Sequence, residues 1–251
     1  MAKAVGVRPV AGCPLLYDRL SGRSPDATTS TSVKLDPLPS SFYEASASAV
    51  APALLGHWLV RRIPRGGWSG GIIVETEAYL VGDPASHGFK GETPRNRAMF
   101  GPPGRAYVYF IYGNHWCFNT VCRPSGQAEG VLVRAIQPTL GVEWMKHNRP
   151  VADAVQLTNG PAKLCAALRI DRRLDGTDVC DATSPIIIAS NPDRESVVSS
   201  CGPVVTTTRI GLSQAAELPL RFYLAGSEWV SRRERLVKRK SPVARGATGE
   251  A

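Results

Sequence analysis

The chain has 251 residues, 43% of them hydrophobic and 20% charged, which is typical of a soluble globular protein with one domain or two small ones. Thirty basic against 21 acidic residues give a net charge of +9, which favours nucleic acid or an anionic membrane surface as a partner over acidic proteins. No apolar run approaches the roughly eighteen residues that cross a bilayer, and the first residues lack the apolar stretch of a secretory signal, so we expect an intracellular protein.

The two ends of the chain differ in composition from its middle. Residues 1–40 are rich in Ser, Thr and Pro, and residues 231–251 carry seven basic and two acidic side chains with few apolar ones. Such segments bury too little apolar surface to fold alone, so we predict a disordered N-terminal segment and a mobile basic tail. The residues between them, 41–230, carry a net charge of only +2 and have the size of one domain.

Hydrophobic periodicity and turn residues predict the elements of this domain in chain order. The predicted helices are 42–56, 139–147 and 157–168. The predicted strands are 57–63, 72–80, 106–112, 115–123, 129–138, 185–189, 203–212 and 221–226. Because strands dominate and no strand–helix–strand rhythm appears, we predict an α+β fold on an antiparallel sheet.

The strand 72–80 carries two acids at a spacing of two. Side chains alternate along a strand, so Glu75 and Glu77 lie on one face together with Tyr79. A carboxylate held on a rigid strand could serve as a general base over a pocket. On spacing alone, the alternative of a solvated strand face is the more common outcome.

Two aromatic and β-branched runs meet at Gly113-Asn114, which predicts a β-hairpin with Tyr112 beside its turn. Most of these rings are expected in the core, but a ring beside a turn projects. The segment 90–134 has a net charge of +4, which suits insertion of Tyr112 between stacked bases, with phosphates held on either side by residues such as Arg95 and Arg97. A solvated basic surface is the alternative.

The predicted helix 157–168 begins with Asn159 near its N-cap and Pro161 in its first turn. Exposed backbone N–H groups around Gly160, with Lys163 nearby, could contact a DNA phosphate. The pattern is short, and an ordinary capped helix is the alternative.

Several chemistries lack their signatures in this sequence. The six cysteines and four histidines form no C-x-x-C pair and no short histidine pair, so we interpret the cysteines as thiols and expect no metal site. The chain contains no Walker A sequence, no G-x-G-x-x-G and no G-x-S-x-G. Phosphate-loop hydrolysis, dinucleotide binding and serine hydrolysis therefore have no support.

A set of six strings carries a family resemblance. They are, in chain order, VETEAYL (74–80), TPRNRAMF (93–100), AYVYFIYG (106–113), VLVRA (131–135), NGPAKLC (159–165) and LPLRFY (218–223). Together they closely resemble the alkyladenine DNA glycosylase family, the DNA-3-methyladenine glycosylases, over about residues 41–230. The resemblance implies a single mixed α/β domain with a curved antiparallel sheet, flanking helices and a protruding hairpin.

The same resemblance implies an activity in base-excision repair. The family flips damaged purines (3-methyladenine, 7-methylguanine, hypoxanthine and 1,N6-ethenoadenine) out of double-stranded DNA and hydrolyses the N-glycosidic bond with water and no cofactor. We therefore expect a monomer whose partner is damaged duplex DNA, with no membrane partner, in the cytoplasm and nucleoid of a bacterium or the nucleus of a eukaryote. No lysine lies in the ETEAY strand to form a Schiff base, so we predict no strand cleavage.

The resemblance also implies roles for particular residues. Glu77 resembles the general base that deprotonates the attacking water, with Arg134 as its partner. Tyr112 resembles the residue that enters the minor groove and fills the gap left by the extruded base. Such a carboxylate would also stabilise an oxocarbenium-like sugar.

Five further residues match the family's base pocket. Tyr79 and His87 are expected to stack on one face of the flipped base and Tyr109 on the other. Asn119 is expected to crowd the exocyclic amine of normal guanine, and the carbonyl of Ile210 to help hold the water. The hairpin departs from the family at Asn114-His115, where apolar residues are common.

Two alternatives come from other classes. One is a non-catalytic nucleic-acid-binding module resembling the C-terminal domain of methionyl-tRNA formyltransferase, which would need neither Glu77 nor Arg134. The other is a carbohydrate hydrolase that uses Glu75 and Glu77 as its acid pair, although no second acid at a suitable spacing is evident.

Overall fold

The computed structural model describes residues 35–64 and 66–233. Most of the predicted N-terminal segment and of the predicted basic tail therefore lies outside the described residues. Within them, the predicted α+β class is confirmed: four α-helices accompany a curled antiparallel sheet in a single domain.

The described helices are short, and the described strands carry most of the core. The α-helices are α1 (Ala47–Leu54), α2 (Val142–Asn148), α3 (Pro161–Ala167) and α4 (Arg194–Ser200). The strands are β1 (Trp58–Arg62), β2 (Trp68–Tyr79), β3 (Ala106–Ile111), β4 (His115–Cys122), β5 (Glu129–Leu140), β6 (Ile186–Ala189), β7 (Val204–Thr207) and β8 (Arg221–Leu224). Single 3-10 turns lie at Ser40–Tyr43, Arg97–Phe100, Ala154–Leu157 and Arg172–Leu174.

Each predicted helix and strand has a counterpart, with four differences. Strand β2 begins at Trp68, inside the cluster predicted to be a turn, whereas β7 ends at Thr207 and is shorter than predicted. Helix α4 was not predicted. Gly160, not Asn159, is the N-cap of α3.

Strand β2 is the centre of the sheet. It pairs along one side with β5, and along the other side first with β1 and then with β8. The full order is β3-β4-β5-β2-β1-β6, with β7 beside β8, and all pairs are antiparallel. Neighbouring backbones leave no room for a side chain at two glycines of β2: an added Cβ would lie 2.1 Å from the Leu59 carbonyl at Gly70 and 1.9 Å from the Gln137 carbonyl at Gly71.

The two faces of β2 have different neighbours. The Thr76 hydroxyl donates a hydrogen bond of 2.9 Å to the Ala51 carbonyl, so the face of Thr76 packs against α1 and the main hydrophobic core. Side chains alternate, so Glu75 and Glu77 lie on the opposite face. The fold thereby places the two acids beneath the loop that carries Ile210 and the segment at Ser231 rather than beneath a helix.

Candidate active site

Both acids of β2 are completely buried, so the solvated strand face that their spacing also allowed is wrong. The Glu77 carboxylate accepts hydrogen bonds at both oxygens: Oε1 from the Ile210 N–H at 2.8 Å, and Oε2 from the Tyr79 hydroxyl at 3.0 Å. Arg134 Nη1 lies 3.1 Å from Oε2 and forms an ion pair. A buried carboxylate that accepts this many hydrogen bonds is held in one position.

Arg134 reaches both acids because the pairing of β2 with β5 is irregular at this point. Glu75 is opposite Ala135 while Thr76 is opposite Val133, so Arg134 is an extra residue on its strand. Such a bulge redirects the side chain it adds. Arg134 is therefore only 7% exposed, with Nε 3.1 Å from Glu75 and Nη1 facing Glu77.

The charges of Glu75 and Glu77 shift the pKa values of the groups beside them. Burial opposes the charged form of Arg134, yet the carboxylates of Glu77 and Glu75 outweigh it and raise its pKa. Burial, and then the charge of Glu77, raise the pKa of the Tyr79 hydroxyl well above its usual value. Tyr79 therefore remains a hydrogen-bond donor to Glu77 at neutral pH.

An aromatic cavity of about 90 Å³ adjoins the Tyr79 ring. Its lining includes Tyr79, His87, Tyr107, Tyr109, Asn119 and Leu212. The structure thus brings four predicted base-pocket residues together around one space. The cavity is far smaller than the roughly 300–1,000 Å³ typical of small-molecule sites, so a purine would enter only after the walls separate.

The rings of His87 and Tyr109 touch in this structure. Their centroids are 4.4 Å apart in an edge-to-face contact, whereas the prediction places them on opposite faces of a base. The predicted sandwich therefore requires the His87 ring to move outward first. The far face of Tyr79 is already covered, because the Arg209 guanidinium lies 4.7 Å from its ring centroid.

His87 is held as a neutral ring. Its Nδ1 lies 2.9 Å from the Tyr107 hydroxyl, and partial burial, together with the charge of Arg95, lowers the pKa of His87. One side of the residue remains exposed. A neutral imidazole can stack on an alkylated, cationic base without charge repulsion.

Asn119 and Ile210 both reach the predicted site. Asn119 is buried and donates its amide to the Tyr107 carbonyl at 3.1 Å, which fixes its side chain at the cavity wall. Ile210 contacts Glu77 through its N–H rather than through its carbonyl, so the predicted contact of the carbonyl with a water stays a prediction.

The hairpin carries Tyr112 at its tip. The turn begins one residue earlier than predicted and spans residues 112–114, with positive φ at both Tyr112 (55°) and Gly113 (75°). A left-handed conformation costs a non-glycine residue roughly 1–2 kcal/mol, so this tip is strained. Tyr112 is 79% exposed, the highest value among the exposed large hydrophobic residues.

The residues predicted to contact phosphates have protein partners here. Arg95 donates to the Phe110 carbonyl at 2.7 Å, and Arg97 pairs with Glu92 on the surface. Lys163 donates to the side chains of Gln156 and Asn159. The N-cap Gly160 of the seven-residue helix α3 is followed by Pro161, which has no N–H to donate.

Sequence reasoning missed several residues of the site. Arg209 forms a buried ion pair with Asp83 and also donates to the Ala78 carbonyl, so it anchors the loop that carries Ile210. Arg221 and Ser231 both bind Glu75. The sequence carries one signal for the first of these: Arg209 immediately precedes the Ile210 that the resemblance selected.

Among residues 35–64 and 66–233, no group of three or more His, Cys, Asp or Glu side chains could hold a metal ion. None of the helices in the same residues is long and apolar enough to span a membrane.

Comparison with known proteins supports one family. The family profile described as methylpurine-DNA glycosylase matches residues 41–228. A relative from Methanoculleus marisnigri is 47% identical over 196 residues, covering 78% of this chain and 99% of its own length, and one from Carboxydothermus hydrogenoformans is 44% identical with the same coverage. One from Nitrosospira multiformis is 45% identical, covering 77% of this chain and 93% of its own length. All three are named "Putative 3-methyladenine DNA glycosylase".

Proposed function

We propose, from the premise that this chain belongs to the methylpurine-DNA glycosylase family and is therefore a DNA N-glycosylase, that it excises damaged purines by a Glu77-activated water. The proposed substrates are 3-methyladenine, 7-methylguanine, hypoxanthine and 1,N6-ethenoadenine in duplex DNA. Residues 41–230 would form the catalytic domain of a monomer. The two alternatives lose their support: family membership makes the chain a DNA N-glycosylase, and the Glu75 carboxylate is occupied by hydrogen bonds from Arg134, Arg221 and Ser231.

The observation that carries the proposal is the arrangement of donors around Glu77. A carboxylate has about four acceptor positions, two on each oxygen. The Tyr79 hydroxyl and the Arg134 guanidinium lie at Oε2, whereas the described residues supply Oε1 with one hydrogen bond, from the Ile210 N–H. One acceptor position on Oε1 therefore remains for a water molecule.

The reaction then follows with atoms and charges balanced. The bond between the sugar C1′ and the base nitrogen breaks, and its electron pair leaves with the base. Positive charge develops on the sugar, where a preorganised carboxylate in a dry site stabilises it. The water oxygen bonds to C1′ as Glu77 accepts its proton, which gives the abasic site. A cationic alkylpurine leaves as the neutral base, whereas an uncharged purine such as hypoxanthine leaves as an anion and takes up a proton from solvent.

Selection among bases would begin with extrusion. Damaged or mispaired bases leave the stack more readily than normal ones, and a cationic alkylpurine is the better leaving group. The aromatic walls Tyr79, His87 and Tyr109 would stack on any purine. Asn119, fixed by its bond to the Tyr107 carbonyl, would supply the discrimination against the guanine amine.

Single-turnover excision on duplexes that each carry one lesion tests this proposal. We expect the wild type to release free base and leave an alkali-labile abasic site, and we expect Glu77→Gln to lower the rate at least about 100-fold while lesion binding survives. Glu129→Gln is the matched control: this acid is also buried, but it accepts hydrogen bonds from Ala47 and Ser46. No release from any of the four lesions, or full activity of Glu77→Gln, contradicts the proposal.

A further inference from the structure

We infer that Glu75 is a positioning residue: it holds the Arg134 guanidinium beside Glu77. Arg221 and Ser231 hold Glu75 in turn, so the segment that follows β8 supports the reacting carboxylate. We call Glu75, Arg134, Arg221 and Ser231 the Glu75 cluster. The inference rests on the proposed function, since it concerns how Glu77 is kept ready.

All three terminal groups of Arg134 are engaged. Nε donates to Glu75 Oε1 at 3.1 Å, Nη1 lies 3.1 Å from Glu77 Oε2, and Nη2 donates to the Ser231 hydroxyl at 3.3 Å. A long side chain would otherwise sample several rotamers, and fixing it costs about 1.5–2 kcal/mol of entropy. The contacts at Nε and Nη2 fix the direction in which Nη1 points, and both involve the Glu75 cluster.

Glu75 is itself held from two further elements. Its Oε1 accepts from Arg221 Nε at 2.7 Å and from the Ser231 hydroxyl at 2.9 Å, and its Oε2 accepts from the Ser231 N–H at 2.6 Å. Arg221 also donates to the Arg232 carbonyl, which joins β8 to the segment after it. These contacts reach Glu75 across 146 and 156 residues of sequence.

Charge balance gives the cluster a function that packing alone would not have. Glu75 and Glu77 carry two negative charges, and Arg134 and Arg221 carry two positive ones. All four side chains are at most 8% exposed, so solvent screens them weakly. Removing either member of the Glu75–Arg221 pair changes the net charge beside Glu77 by one unit, with a sign that depends on which member is removed.

A comparison of Glu75 and Arg221 variants is informative only if the other titratable groups around Glu77 are not mutated. Tyr79 faces it from its own strand. Arg209, from the loop before β8, lies against the Tyr79 ring and pairs with Asp83, which follows β2. From β4 Cys117 lies near enough for the charge of Glu77 to act on it, although burial is the larger cause of its raised pKa. The proposed variants leave these groups unchanged.

The decisive experiment is the pH dependence of single-turnover excision by the full-length chain. The substrate is a 7-methylguanine duplex, because a base that is already cationic needs no protonation to leave. Glu75→Gln removes a negative charge and favours ionised Glu77, so the acid limb should move to lower pH by about one to two units. Arg221→Gln should move the limb to higher pH. Glu75→Gln should also lower the plateau rate ten- to hundredfold, because Nε of Arg134 loses its charged acceptor and the guanidinium is oriented less firmly, while its Nη1 stays paired with Glu77.

Glu129→Gln is again the matched control. It removes a buried carboxylate that caps α1 and does not contact the Glu75 cluster, so it should lower thermal stability without moving the acid limb. Ser231→Ala is the mildest probe, since the backbone N–H to Glu75 is kept. We expect a two- to fivefold loss of plateau rate, with an unchanged Kd for duplex carrying an uncleavable abasic analogue.

A second measurement needs no catalysis. Carboxyl carbons of the glutamates can be titrated by NMR, with the Glu77 signal identified by its loss in Glu77→Gln, and the same opposite shifts are expected. If the wild type releases no base, the proposed function fails while this titration still tests the cluster. Shifts of the same sign in Glu75→Gln and Arg221→Gln, or none in folded variants, would overturn the inference.

Discussion

The Glu75 cluster and the hairpin tip, residues 112–114, differ in almost every physical respect. The cluster is buried at the centre of the sheet, and each of its charges has a partner of opposite sign. The tip is exposed, has left-handed backbone at Tyr112 and Gly113, and carries a ring that projects into solvent. Stabilising contacts are therefore concentrated in the cluster, whereas backbone strain lies at the tip.

This difference separates two tasks of the proposed reaction. Stabilising a developing positive charge works best when the dipoles and charges are fixed before the substrate arrives, as around Glu77. Filling a gap between bases requires a ring that is exposed and does not pack against the rest of the protein, as at Tyr112. A variant in the cluster should thus affect folding and chemistry together, whereas a variant at the tip should weaken lesion binding without lowering stability.

The largest effect is expected for Arg134→Met. The substitution keeps an unbranched side chain but leaves Glu77 buried without its counter-charge, which costs about 3–5 kcal/mol in the free energy of unfolding. Excision should fall below detection. Urea denaturation checks the stability, with Arg97→Met as control, because the exposed pair of Arg97 with Glu92 is worth at most about 1 kcal/mol. Equal losses in the two variants would show that the cluster is no more stabilising than a surface pair.

A smaller effect is expected for Tyr112→Gly, which should weaken lesion binding but should not lower stability. Glycine adopts the left-handed conformation freely, so stability should stay constant or rise by up to about 1 kcal/mol. Loss of a stacking ring should weaken lesion-specific binding by about 1–3 kcal/mol. Fluorescence anisotropy on lesion and intact duplexes measures both affinities.

Phe110→Ala serves as the control for that experiment. It removes a second exposed ring of the same hairpin, one that packs on Trp116 with centroids 4.8 Å apart. We expect its effect on lesion binding to be the smaller one. Equal weakening on lesion and intact DNA by Tyr112→Gly argues against insertion of the ring between bases.

Local patterns predicted the tip well. A turn dipeptide between two aromatic, β-branched runs is a short-range signal, and the hairpin formed where it indicated, with an error of one residue in the turn. The error has a physical source, since a tyrosine with positive φ contradicts the backbone preference on which the prediction rested.

Half of the cluster was out of reach of such patterns. The alternation of β2 placed Glu75 and Glu77 on one face, and the family resemblance paired Glu77 with Arg134. Arg221 and Ser231 lie far from Glu75 in sequence, and the spacing of residues along the chain does not predict such long-range contacts. The bulge at Arg134 is likewise a property of two strands paired together, and the sequence of either strand alone does not contain it.

The smallest effect on excision is expected from removing the basic tail. Because Ser231 binds Glu75 and Arg232 binds Arg221, the cut belongs after Arg233 rather than at the predicted boundary of 230. Residues 234–251 carry five basic and two acidic side chains, so their loss lowers the net charge by three. We expect weaker binding to intact duplex and a flatter dependence of log K on log salt, by up to about 0.9 for each phosphate that the tail no longer neutralises.

Excision at saturating enzyme should stay within twofold, because the cluster and the tip are both retained. A chain with residues 234–251 shuffled is the matched control, and it should bind intact duplex as the wild type does, since screened charge rather than sequence sets this affinity. If the shuffled chain instead behaves like the truncated one, the tail makes specific contacts. The tail would then contribute DNA contacts that depend on its own sequence, in addition to the lesion binding expected of the hairpin tip.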